Sequence, residues 1–207
     1  MNQNTLLTQF PKLHMVVAVS KNHPVSAIES KITDGFSHFG ENKAQELSDK
    51  AKAQLPVTWH FIGRIQTNKL KIIVEHASWI HSVDSVKQIE LIEKYAASLN
   101  KDIHILIQLN LTTEDQKGGI QIKDLENLIA KCNTCSHIRL KGLMVMGPSS
   151  GDLVLTEACF KAAQHIFLLT QKSHPEMTEL SMGMSHDYGL AYQYGSTCFR
   201  LGTVLFT

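Results

Sequence analysis

Short apolar runs alternate with segments of helical spacing along the whole chain. The first run, at 14–21, reads His-Met-Val-Val-Ala-Val-Ser-Lys. It is nearly continuous and rich in β-branched residues, the pattern of a parallel strand covered on both faces. Asn22-His23-Pro24 breaks it. Helical spacing follows over 25–34, then a short strand at 36–39 and a helix from Glu41 to about Gln54, with acids in its first turn. Further strands are predicted at 57–62, 79–83, 103–111, 138–146, 178–182 and 197–201. Helices are predicted at 66–76, 86–99, 123–132, 153–172 and 185–194, the 86–99 helix capped by Asp84-Ser85. Residues 112–119 form a polar, glycine-containing loop, and 147–151 a second. Residues 1–13 form a short polar arm, frayed or the remnant of a leading helix. Strand and helix alternate through 14–207 without a linker or composition break, and the strands total eight. The expectation is an α/β fold, a single (β/α)8 barrel, with a doubly wound open sheet as the alternative.

Composition narrows the classes of partner. Apolar residues make up 43% of 207, enough for a sizeable core, and charged residues 19%. Twenty Lys and Arg against nineteen Asp and Glu leave +1. That balance gives no reason to expect nucleic acid or an anionic membrane. The first eleven residues carry no apolar signal segment, and no apolar run is expected to span a bilayer. A cytoplasmic location with reduced thiols follows. Cys132-Asn-Thr-Cys135 is a CxxC without a second pair, and reads as two unrelated thiols at a helix end. The eleven histidines show no metal-ligand spacing.

The candidate chemistry lies at strand ends. In barrels of this class active groups stand at the C-terminal ends of strands, where Lys21 follows the first. An amine there can be partly desolvated and freed for Schiff-base chemistry, although by itself a solvated lysine is the simpler account. Ser181-Met-Gly-Met-Ser185 ends the seventh strand and opens a helix. There Gly183 permits close backbone approach, Ser185 can cap, and free N–H groups offer an anion site. Arg200-Leu-Gly202-Thr203 ends the eighth strand. Barrels often hold phosphate between these two loops. Either glycine alone would only make a turn. Both together, with a strand-end lysine, favour a site for one compact ligand carrying a phosphate and a carbonyl.

These residues carry a resemblance. VVAVSK (16–21), FGENKAQE (39–46), WHFIGRIQTNK (59–69), IHSVDS (80–85), ILIQLNLTTEDQKGG (105–119), KGLMVMG (141–147) and ELSMGMSHD with GSTCFRLGTVLF (179–206) resemble the YggS/PROSC family of pyridoxal 5′-phosphate (PLP) homeostasis proteins. Through them the chain is similar to the barrel domain of alanine racemase, from about residue 14 onward. The resemblance implies a PLP barrel of the alanine-racemase type (fold type III). By it Lys21 forms the internal aldimine, Ser185, Gly202 and Thr203 hold the phosphate, Arg200 faces the pyridine nitrogen, and Asn42 lines the pocket. His60 and Met182 are weaker candidates that could equally be core packing. Three departures stand out. The leading helix is mostly missing, which would leave one end of the barrel less covered. His186 replaces a more usual acid, and Lys43 stands where an aromatic residue or arginine is common.

An arginine against the pyridine nitrogen donates hydrogen bonds and accepts none, so the nitrogen stays unprotonated and the ring is a poor electron sink. Racemisation also needs a second base, which in racemases comes from a further domain that this chain is too short to contain. Tyr188, Tyr192 and Tyr194 are expected to pack or be exposed. The favoured function is intracellular PLP homeostasis: holding the cofactor with little or no turnover, as a monomer, with apo-PLP enzymes as possible recipients. The alternatives are a PLP-dependent racemase or lyase, and a PLP-free aldolase using Lys21.

Overall fold

The computed structural model describes residues 1–112 and 114–206. Thr113, inside the predicted loop after the fifth strand, and Thr207 lie outside the described residues. In chain order the elements are α1 (Gln3–Gln9), β1 (Met15–Val19), α2 (Val25–Thr33), β2 (His38–Glu41), α3 (Ala44–Ala51), β3 (Thr58–Phe61), α4 (Leu70–His76), β4 (Trp79–Val83), α5 (Val86–Ser98) and β5 (Ile103–Leu109). Then come α6 (Leu125–Asn133), β6 (Ile138–Val145), α7 (Leu153–Ser173), β7 (Glu179–Ser181), α8 (Tyr188–Gln193), β8 (Cys198–Leu201) and α9 (Thr203–Phe206). The eight strands close into one barrel in sequence order. All pairs are parallel, and β8 closes on β1 with Val17 opposite Arg200 and Ala18 opposite Leu201. The eight-stranded barrel read from the alternation is the observed fold.

Alternation along each strand sorts side chains to two sides. Val16, Ala18, Phe39, Phe61, Leu180 and Phe199 join the large apolar layer beneath the helices. Met15, Val17 and Cys198 form a separate small cluster against Trp79, which fills the N-terminal part of the barrel interior. Beyond it the interior turns polar: His60, His81, Ser181 and Arg200 are all buried.

These four groups, with His38, satisfy one another. His38 Nδ1 lies 2.9 Å from His60 Nε2, and His60 Nδ1 lies 2.9 Å from His81 Nε2. His81 Nδ1 lies 3.1 Å from Ser181 Oγ, so the chain crosses the barrel from β4 to β7. Arg200 Nη1 donates to that same oxygen at 2.6 Å. Burial holds His60 and His81 well below the usual imidazole pKa, and His81 is lowered further by the Arg200 charge. Both rings are therefore neutral at pH 7.

Three sequence expectations need correction. Of the two readings of residues 1–13, the leading helix is observed, as α1, and the frayed arm is not. Asn2 caps α1 by accepting from Thr5 N, and Leu6, Phe10 and Leu13 are buried, so that end of the barrel is covered. Phe10 packs edge-on against Tyr192, Phe199 and Tyr188, with centroids 4.9, 5.3 and 5.8 Å away. Glu41 does not open a helix: it ends β2, fully buried, and α3 begins at Ala44. Finally, α7 is long and apolar enough by length and composition to cross a membrane, contrary to the expectation of no such run. It buries Cys159, Phe160, Ala163 and Phe167, while Leu153, Val154, Leu155, Leu168 and Leu169 stay exposed.

Two outcomes follow from this packing. Phe10→Ala removes the ring that ties residues 1–13 to α8 and β8, and lowers unfolding free energy by about 3 kcal/mol in a urea titration. An unchanged midpoint would contradict the packing role. The buried histidines make stability pH-dependent. The unfolded chain binds protons near 6.5, the native rings only at lower pH, so the unfolded state holds more protons in between. Stability is therefore complete above about pH 6.5 and falls as pH drops below it, by up to about 1.4 kcal/mol per pH unit for each ring. A flat profile between pH 6.5 and 5 would contradict neutral buried rings.

Candidate functional site

The C-terminal rim of β1 is rigidly built. After Val19 the chain turns through Ser20 and Lys21 to Asn22, which adopts a left-handed φ of 64° that asparagine tolerates better than most residues. Two side chains pin the backbone around Lys21. Lys50 Nζ donates to the Ser20 carbonyl at 2.6 Å, and Glu46 Oε1 accepts from Asn22 N at 2.6 Å. Lys50 also bonds Glu41 at 2.6 Å and Glu46 at 2.8 Å, and the Ser20 hydroxyl donates to Glu41 at 2.6 Å. Burial raises the Glu41 pKa, opposed by the bonds from Lys50 and Ser20. The Lys21 side chain itself is exposed, against the expectation of a partly desolvated amine.

The loop after β8 lies beside this rim because β8 pairs with β1. A Cβ added at Gly202 would touch the Val19 side chain and carbonyl at 3.6 Å. His23 stacks on Phe206 of α9 with ring centroids 4.6 Å apart, joining the Lys21 turn to the same corner. The loop after β7 completes the arrangement. Gly183 has φ 95°, and a Cβ there would come within 2.8 Å of Ala191 and 3.0 Å of the Tyr188 backbone, so only glycine fits. Its carbonyl accepts from Arg200 N at 3.0 Å. Ser185 does not cap a helix, since α8 starts only at Tyr188. Its hydroxyl oxygen instead accepts from Gly202 N at 3.2 Å and Val204 N at 3.3 Å. Two backbone N–H groups thus converge on one oxygen at the start of α9, the donor arrangement an anionic oxygen requires.

Arg200 lies beneath these loops with only 4% of its surface exposed. Nη1 donates to the Ser181 carbonyl at 2.8 Å as well as to Ser181 Oγ, and Nη2 donates to the Val145 carbonyl at 2.9 Å. A guanidinium has five N–H bonds, so donors remain for a ligand acceptor. Asn42 is half-buried beside Glu41, and its Oδ1 is buried with no hydrogen-bond partner among the described residues. Thr203 is exposed at the start of α9.

The structure thus brings Lys21, Ser185, Gly202 and Thr203 to neighbouring strand ends, with Arg200 in the wall below. Asn42 follows β2, the other neighbour of β1. His60 is part of the interior polar chain. Met182 faces the apolar layer as packing. Tyr188 and Tyr192 pack on Phe10, and the Tyr194 hydroxyl donates to Glu157. His186 and Lys43 are exposed. Cys132 is buried, its thiol pushed up to about 12 by burial, and neither it nor Cys135 is in a disulfide. Sequence reasoning missed Ser20, Glu41, Glu46 and Lys50. The Glu46-Lys50 pair one helical turn apart was the one readable signal.

Comparison with known proteins agrees with this geometry. The model of the alanine racemase N-terminal domain matches residues 2–207, so the likeness begins within residues 1–13 rather than near residue 14. A pyridoxal phosphate homeostasis protein of Pasteurella multocida (strain Pm70) is 35% identical over 197 residues, covering 92% of this chain and 84% of that one. PipY of Synechococcus elongatus PCC7942, solved without PLP, superposes with a TM-score of 0.92 at 37% identity, covering 99% and 97% of the two chains. The same protein with PLP bound gives 0.89 at 35% identity, with the same coverage. On the strength of this full-length likeness, the chain belongs to the pyridoxal phosphate homeostasis protein family, whose barrel is that of the alanine racemase N-terminal domain.

Proposed function

We propose that this protein binds PLP in the mouth of its barrel and serves its homeostasis in the cytoplasm, as a monomer that holds the cofactor and releases it to apo-PLP enzymes. The observation that carries the reading is Arg200: a buried guanidinium with hydrogen-bond donors left over, below a pair of N–H groups suited to phosphate and on the strand next to the one that Lys21 follows. PLP matches each feature. It has an aldehyde for Lys21, a phosphate for the backbone at Gly202, Thr203 and Ser185, and a ring nitrogen that accepts from Arg200. The unpartnered Asn42 Oδ1 is left to meet a donor near the rim.

When bound, PLP supplies an electron sink for amino-acid α-carbon chemistry, and that capacity depends on a protonated ring nitrogen. Arg200 works against it. Its guanidinium stays charged and offers only donors, so it holds the nitrogen in its acceptor form. Lys50, Glu41 and Glu46 fix the backbone on both sides of Lys21, so the amine is presented from a rigid turn. Ser185 Oγ holds the two N–H groups aimed at one point, and a phosphate oxygen would take them over from it while the hydroxyl turns to donate. These features support a site built for retention, with little or no turnover.

Incubation with PLP should give the visible absorbance of lysine-bound cofactor, and Lys21→Ala should abolish it. A colourless wild-type protein would refute the reading. Ser185→Ala should weaken PLP binding roughly five-fold, about 1 kcal/mol; unchanged affinity would remove Ser185 from the phosphate site. Amino acids in heavy water should exchange their α-protons no faster with the loaded protein than without it. Fast exchange lost in Lys21→Ala would favour a racemase or lyase instead.

A further inference from the structure

The polar chain inside the barrel has a direction. His60 and His81 are fully buried and His38 is half-buried. Burial keeps all three rings below the ordinary imidazole pKa, so each is neutral and presents one donor and one acceptor nitrogen. Three neutral rings in series admit only two patterns, with every N–H pointing toward Arg200 or every N–H pointing away. Arg200 Nη1 donates to Ser181 Oγ at 2.6 Å. That oxygen then has its own proton to give, and His81 Nδ1 stands 3.1 Å away as an acceptor. The positive guanidinium also favours ring dipoles with their N–H ends turned outward. Both effects choose the same pattern: Nδ1 accepts and Nε2–H donates at His81, then at His60, then at His38. Trp79 packs against the column, stacked on His60 with centroids 5.5 Å apart and an interplanar angle of 13°.

We propose that Ser181 and His81 are positioning residues for Arg200, at the head of a directional hydrogen-bond column through His60 to His38 that fixes where the guanidinium aims its remaining donors. This rests on the reading of Arg200 as the partner of the cofactor's ring nitrogen. The column explains why an interior that could be filled with aliphatic side chains is polar here. Loss of one member leaves the next nitrogen buried without its partner, so the links hold one another in register.

Nitrogen NMR on protein labelled in histidine and arginine, free of PLP, tests the column without relying on the cofactor. The expected result is three neutral rings at pH 7.5, each with a bare Nδ1 and a protonated Nε2, and hindered rotation of the Arg200 guanidinium. In Ser181→Ala the His81 tautomer becomes mixed and the Arg200 signals broaden; Ser181→Thr, which keeps the hydroxyl, restores both. PLP affinity should fall three- to ten-fold in Ser181→Ala and recover in Ser181→Thr. A protonated Nδ1 on His81 in the wild type, or Arg200 and histidine signals unmoved by Ser181→Ala, would overturn the column. Signals that move while PLP affinity stays unchanged would overturn its positioning role. A wild-type protein that binds no PLP at all would instead overturn the cofactor reading, and the NMR result would still decide the column.

Discussion

A guanidinium sealed inside a barrel must spend its donors on fixed acceptors or lose more free energy than a fold of this size can spare. Arg200 meets that demand on strands β6 and β7, through Val145 and Ser181. Its own backbone N–H bonds Gly183, so side chain and main chain together fasten the loop after β7 to β8. The bonds at Ser181, and after burial a share of the lowered His81 pKa, trace to this one buried charge. So does the donor character of the site above it, because a guanidinium offers N–H groups and no acceptor.

Around that charge the rim is assembled by strand adjacency. The Lys21 turn, the Gly202 loop and Asn42 follow β1, β8 and β2, which are neighbours in the closed barrel. Their proximity is thus a property of the topology, created by the pairing of β1 with β2 and, at the closure, with β8. Local devices then stiffen each piece: Lys50 and Glu46 around Lys21, the Ser185 hydroxyl across the Gly202 loop, His23 on Phe206. These devices stiffen the site before a ligand arrives, which lowers the ordering cost of binding.

Much of this could be read from the chain. The eight-run alternation gave the barrel, and strand-end positions pointed to Lys21, Gly202 and Ser185, because period-two runs and glycine breaks are local signals. Other parts were not local. Glu41 looked like a helix-opening acid, yet it completes β2, because a buried bond to Lys50 outweighs the dipole preference that the sequence suggested. Residues 1–13 read as a short polar arm, since the ring partners of Phe10 lie far along the chain, on α8 and β8. The role of Ser185 depends on backbone N–H groups seventeen and nineteen residues away, which no motif encodes. The histidine column had a faint trace: His38, His60 and His81 recur at separations of 22 and 21, about one strand-helix unit each. Without the barrel closed, nothing distinguished them from eight other histidines.

The central claim is that Arg200 meets the ring nitrogen of bound PLP as a donor. The most direct measurement is the nitrogen NMR resonance of ring-labelled PLP bound to the protein near neutral pH. The account requires an unprotonated, hydrogen-bonded pyridine nitrogen that shifts when Arg200 is replaced by glutamate. A pyridinium resonance in the wild-type protein would contradict it.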